Sequence, residues 1–200
     1  MATELKSIDT QIKKDGLIKG VFLGLIVLAL SIISFYFILN NATSPLQVLA
    51  VPFFCSYIIP LIVSVFFILN IRKKAGGYLT FKQVVTTAFI MFFVNFAILT
   101  IGRDLIFVKL FQPDMIGKTE ASMMTSSKIM YKQQKLPQAE TNSRLAELKK
   151  GFDAENNMTA FETFSGYLTT IILLFVLAVI FAAAFKKDPP VLVEVDIVEW

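Results

Sequence analysis

Apolar residues in this chain gather into four long blocks, roughly 17–39, 46–71, 84–108 and 161–185, divided by polar segments of very unequal length. Each block is close to the ~20 residues that a helix needs to cross the hydrocarbon core of a bilayer. A short uncharged stub joins the first two blocks, a basic turn joins the next two, and the polar stretch 109–160 joins the last two. This pattern predicts an all-α fold, an integral membrane four-helix bundle with a helical extracytoplasmic segment between spans 3 and 4. The membrane domain then covers 17–187, preceded by a polar cytoplasmic segment, 1–16, and followed by a tail, 188–200.

Local helix-start chemistry sharpens the boundaries. Ser44-Pro45-Leu46-Gln47, Thr80-Phe81-Lys82-Gln83 and Thr159-Ala160-Phe161-Glu162 each place a hydroxyl at the cap and a Gln or Glu three residues on. This is the capping box, and it stands where spans two, three and four should begin. Pro45 also suits a first helical position. Pro52 and Pro60 fall inside the second span, where each removes a backbone donor and predicts a kink or a locally hydrated stretch. Gly76-Gly77 supplies the reversal after it. In the long polar stretch, Ile116, Met123 and Met130 recur at heptad spacing, and Leu145, Leu148 and Phe152 share one helical face. Two amphipathic helices, punctuated by Pro113 and Pro137, are the expected result.

Composition agrees with lipid as the solvent for the outward faces. The 200 residues are 56% hydrophobic and include 20 Phe. The first block exceeds a signal-peptide core and lacks a small-x-small cleavage site, so it is expected to be a retained span. The net charge of +4 reads as loop placement in a membrane protein, with no nucleic-acid partner implied. The first turn has no Lys or Arg, whereas the second carries Arg72, Lys73, Lys74 and Lys82. Positive residues stay inside, so both termini are expected in the cytoplasm and the long segment outside. The chain contains no His, and its one cysteine, Cys55, lies in the second span. The commonest general base and metal ligand are thus missing, and no cysteine cluster is possible. No Walker loop, dinucleotide fingerprint or nucleophile triad occurs. No cofactor and no catalysis are expected.

Three sets of residues stand out. Gly16, Gly20 and Gly24 recur every four positions on one face of the first span, a seam that lets helix backbones approach closely in lipid. That seam serves either a second copy or partner, or another span of the same bundle. Asn95, Arg103 and Asp104 are polar positions of the third span, where ionisable groups are costly and mark candidate sites. Arg103 and Asp104 stand near the outer end of the span, where snorkelling to the headgroups is open to them. Adjacent positions on a helix do not face each other, so one of the two is expected to seek another partner, and Glu162 at the start of the fourth span is a candidate for Arg103. Asn95 is available for a bond to a neighbouring helix. Finally, Val191, Val193, Val195 and Ile197 alternate in the tail, which ends at Trp200. This strand-like periodicity suits docking to the edge of a partner's sheet, or a disordered end.

The layout resembles tetraspanins only superficially, because the long segment holds no cysteine. Gly16-Leu17-Ile18-Lys19-Gly20, Arg72-Lys73-Lys74-Ala75-Gly76-Gly77-Tyr78-Leu79-Thr80-Phe81-Lys82, Phe111-Gln112-Pro113-Asp114 and Phe185-Lys186-Lys187 carry a closer likeness. With these motifs the chain, up to Lys187, resembles an uncharacterised family of small four-span bacterial inner-membrane proteins, a domain of unknown function common in Bacteroidetes. The resemblance implies an inner-membrane location and brings no activity. The expected role is a non-catalytic accessory or scaffold subunit of an envelope complex, surrounded by membrane lipids and joined to a protein partner or a second copy. The alternative is a small channel or transporter component.

Overall fold

The computed structural model describes residues 2–41 and 44–189. The chain forms helices α1 (Ala2–Asn41), α2 (Pro45–Phe53), α3 (Ile59–Lys74), α4 (Phe81–Leu99), α5 (Met115–Gln133), α6 (Gln138–Asn156) and α7 (Ala160–Phe185). A π-helical segment, Phe54–Ile58, joins α2 to α3, and a longer one, Thr100–Phe111, continues α4. No strand forms among the described residues; Leu79 and Lys187 make an isolated antiparallel bridge.

Four helical rods are long and apolar enough to cross a membrane: Asp9–Asn40, Pro45–Lys74, Phe81–Phe111 and Ala160–Phe185. The chain is a multi-pass membrane protein of all-α architecture. The expected cap chemistry sets three of the starts. Ser44 Oγ accepts from the Gln47 N–H at 3.4 Å. Thr80 with Gln83 and Thr159 with Glu162 close reciprocal boxes. The first rod extends below its apolar block, since nothing in residues 2–16 breaks a helix, and its polar positions find partners there. Asp15 pairs with Lys74 at 3.6 Å, and Asp9 accepts from Gln83 Nε2 at 2.8 Å.

Packing is uneven along the bundle axis. The main core joins Ile12, Leu23 and Val27 of α1 to Ile68 and Ile71 of α3, Val84, Ala88, Met91 and Phe92 of α4, and Ala178, Phe181 and Ala182 of α7. Most of these residues lie in the half nearest the basic turn. There Gly76 and Gly77 adopt φ of +84° and +90°, which glycine alone takes without strain. The turn is fastened to the exit of α7. Leu79 and Lys187 exchange backbone bonds of 2.9 and 2.8 Å, Arg72 Nη1 donates to the Phe185 carbonyl at 3.4 Å, and Lys187 stands over the Tyr78 ring. The segments 72–82 and 185–187, both singled out in the sequence, thus meet in one clamp.

At the opposite end, α5 and α6 form a small helical cap. Met123 packs with Ile38 of α1 and Val48 of α2, flanked by Leu148 and Phe152. The amphipathic faces expected in the polar stretch supply those residues. We call this end the cap side.

Candidate functional site

The glycine seam of α1 faces α4 of the same chain. A Cβ at Gly16 would lie 3.1 Å from the Thr87 carbonyl oxygen, one at Gly20 2.9 Å from the Met91 carbonyl oxygen, and one at Gly24 2.8 Å from Ile98 Cδ1. Farther along, the small residue changes sides: a Cβ at Gly102 would lie 2.8 Å from Leu28 Cδ2. Tight packing of α1 against the third span therefore continues to the residue before Arg103. Sequence reading passed over Gly102, although a glycine beside two charges in an apolar block was a usable signal.

Beyond Leu28 the same stripe of α1 turns polar with Ser31 and Ser34, and the bundle opens. A cavity of about 560 Å³ lies there, in the cap-side half. Ser31, Ser34, Phe35 and Ile38 of α1 form one wall. Pro52 and Ser56 of the second span form another, and Arg103, Asp104 and Val108 of the third span a further one. Met115, Ile116 and Thr119 of α5, with Phe152 of α6, close the cap end, while Met158 and Tyr167 border it toward α7. Its volume falls in the range of pre-formed ligand sites, roughly 300–1,000 Å³, and its lining has their composition of apolar walls with a few polar groups.

The two π-helical segments both reach this cavity, one through Ser56 and the other through Arg103, Asp104 and Val108. π turns are uncommon and recur at functional sites, because the extra residue re-aims side chains. Here the consequence is visible in the charges. Arg103 Nε donates to Asp104 Oδ1 at 2.7 Å, and the side chains are 37% and 34% exposed. This overturns the expectation that neighbours on a helix cannot pair. The wider π turn fans successive side chains less, and the long arginine arm folds back onto the next residue. Glu162 is not the partner of Arg103. It is exposed and occupied by its own cap, accepting from the Thr159 N–H at 2.7 Å and from Thr159 Oγ1 at 2.8 Å.

Among the described residues, two buried side-chain polar atoms lack a hydrogen-bond partner, Ser34 Oγ and Asn95 Oδ1. Asn95 does not line the cavity, and its side-chain carbonyl oxygen makes no bond to a neighbouring helix. Ser34 does line it, in a residue only 3% exposed. Ser34 stands five residues inside the end of the first apolar block, about 7 Å along an ideal helix. The expected polar set therefore divides: Arg103 and Asp104 belong to the cavity, Asn95 lies apart from it, and Glu162 sits at a helix end. Ser31, Ser34, Ser56 and Tyr167 join the site unannounced. The signal for the two α1 serines was their i, i+3 spacing on the stripe that carries the glycines. Among the described residues no group of three or more His, Cys, Asp or Glu is placed to hold a metal ion.

The model of the family described as "Protein of unknown function (DUF4199)" matches residues 19–187. The chain belongs to this family. The DUF4199 match takes in all four spans but for the start of the first, the cap helices, the clamp and every residue of the cavity wall. It ends at Lys187, so the alternating positions Val191, Val193, Val195 and Ile197 and the terminal Trp200 lie beyond it, as they lie outside the described residues. No curated protein and no solved structure matches the chain at a significant level.

Proposed function

We propose that this DUF4199 protein is a non-catalytic membrane protein that binds an amphiphilic molecule in the cap-side half of its bundle, as a carrier or receptor component of a bacterial inner membrane. The carrying observation is the cavity of about 560 Å³, which brings an ion pair and an unsatisfied hydroxyl together between apolar spans. Ionisable groups are expensive in lipid and recur where a substrate or ion is handled. Interrupted helices are tolerated in a bilayer where they line a cavity. Both features coincide here. This reading develops the transporter-component alternative from sequence, and the absence of His from the chain supports a binding role over an acid–base one.

Orientation follows the positive-inside rule. Arg72, Lys73, Lys74 and Lys82, with Lys186 and Lys187, cluster at the clamp end, and the first turn has no Lys or Arg. We place the clamp and both termini in the cytoplasm and the cap outside.

A second reading, an accessory or scaffold subunit, draws on α7. That helix packs mainly along α4, and Phe161 and Phe164 near its cap-side start are 78% and 58% exposed. One experiment separates the two. Native mass spectrometry of the full chain released from mild detergent should show retained lipid-sized adducts on the single chain. A protein adduct, with no small-molecule adduct, would replace the first reading by the second.

A further inference from the structure

Charge on the cavity wall narrows what the site can hold. Among the described residues, Arg103 and Asp104 are the charged side chains that line it. Their contact engages the guanidinium Nε–H and one carboxylate oxygen. An arginine has five N–H donors and a carboxylate two oxygens, so most of their bonding capacity is left for a ligand. A ligand with only negative charge would draw Arg103 away and leave Asp104 uncompensated beside apolar walls. A ligand with only positive charge would do the same to Arg103. A ligand carrying both charges satisfies each group and strands neither.

We propose that the cavity binds a phosphate ester bearing a primary ammonium, the headgroup chemistry of phosphatidylethanolamine, drawn from the surrounding leaflet. The inference rests on the amphiphile-binding reading and names its ligand class. Arg103 takes the phosphate and Asp104 the ammonium. The buried, unpartnered Ser34 hydroxyl, with Ser31, meets the ester or glycerol oxygens. A lipid source fits the geometry on two counts. The walls beside the charges are apolar, with Phe35, Ile38 and Met158 among them. The second span and α7 are joined at the clamp by Arg72 and Phe185, yet they share no extended packing at the cap side. Acyl chains leave through that lateral gap, while the headgroup and glycerol occupy the cavity.

The test titrates purified full-length protein in mild detergent with phosphatidylethanolamine, phosphatidylglycerol, phosphatidylcholine and a diglycosyl diacylglycerol, read by native mass spectrometry. Soluble O-phosphoethanolamine serves as a competitor. Phosphatidylethanolamine should be retained about tenfold better than the others, the factor expected of a charge-assisted bond to a primary ammonium. Asp104→Asn should erase its advantage over phosphatidylglycerol, and Ser34→Leu, which fills the cavity and spares the ion pair, should lower retention of every lipid. Equal retention of the two phospholipids, a preference for the glycolipid, or an unchanged preference in Asp104→Asn overturns the headgroup assignment and leaves amphiphile binding standing. Binding of the soluble ester as tightly as the lipid overturns the leaflet as the source. Absence of any lipid adduct on the wild type removes the amphiphile reading itself. If Asp104→Asn does not fold, the wild-type ranking decides.

Discussion

Gly20 and Gly166 occupy spans alike, yet a methyl group would meet different surroundings at each. At Gly20 it would press on the Met91 backbone and Val94 Cβ, both at 2.9 Å, and at Gly166 it would meet nothing within 4 Å. Gly20→Ala should therefore cost about 1–3 kcal/mol through overpacking. Gly166→Ala should gain about 0.5–1 kcal/mol from its better helix propensity. Thermal melts in one detergent compare them directly, and equal melting points would show that the seam is not in tight contact. The ion pair gives a second residue-scale prediction. Arg103→Met leaves Asp104 without its donor, at a cost of about 1–3 kcal/mol. The double change Arg103→Met with Asp104→Leu removes both charges and should be more stable than the single one. A double variant less stable than the wild type would mean that the pair contributes net stability. That Arg103 and Asp104 pair with each other was not legible in sequence, because the rule that neighbours diverge holds for an α-helix and the chain is π-helical there. The serines at 31 and 34 were legible as positions on the glycine stripe. That one of them lacks a partner depends on which residues stand opposite.

Among the elements, span starts were the easiest to read, because a capping box is a local arrangement of four residues and needs no tertiary information. The π segments differ from each other in this respect. Pro60 has no N–H for the carbonyl of Ser56, and its ring would clash with that carbonyl in a regular α-helix. The helix instead widens over Phe54–Ile58, the turn before the proline. Pro52 and Pro60 thus announced a break in the second span. The longer segment Thr100–Phe111 contains no proline, and apart from Gly102 no residue in it marks the departure. Pro60→Ala tests the link between break and site. Restoring the ladder should let the span run as an α-helix and raise stability by about 1–3 kcal/mol. Ser56 would then turn away from the cavity, and lipid retention should fall. Melting and native mass spectrometry on the same preparation read both effects. Loss of both stability and retention would show that Pro60 is needed for packing and does not simply shape the cavity.

The whole molecule has one tightly fastened end and one open end, and which of them faces the cytoplasm decides what the cavity can reach. All-α architecture, four spans and family membership were readable from the hydropathy blocks and short motifs, since each depends on composition along the chain. The cavity was not readable, because its wall is assembled from residues of all four spans and the cap helices, far apart in the chain. Charge is the sole sequence feature that bears on orientation. The cap helices carry acids and lysines in near balance, whereas the clamp gathers Arg72, Lys73, Lys74, Lys186 and Lys187. Long translocated segments follow the positive-inside rule weakly, so the short clamp turn should dominate. Lys132, near the end of α5, is exposed and far from the clamp. With Cys55→Ser removing the native thiol, Lys132→Cys should react with a membrane-impermeant maleimide in intact cells. A control cysteine at Lys73 in the clamp should react only after permeabilisation. The reverse pattern would put the cap in the cytoplasm, and the ligand would then be drawn from the inner leaflet through the same lateral gap.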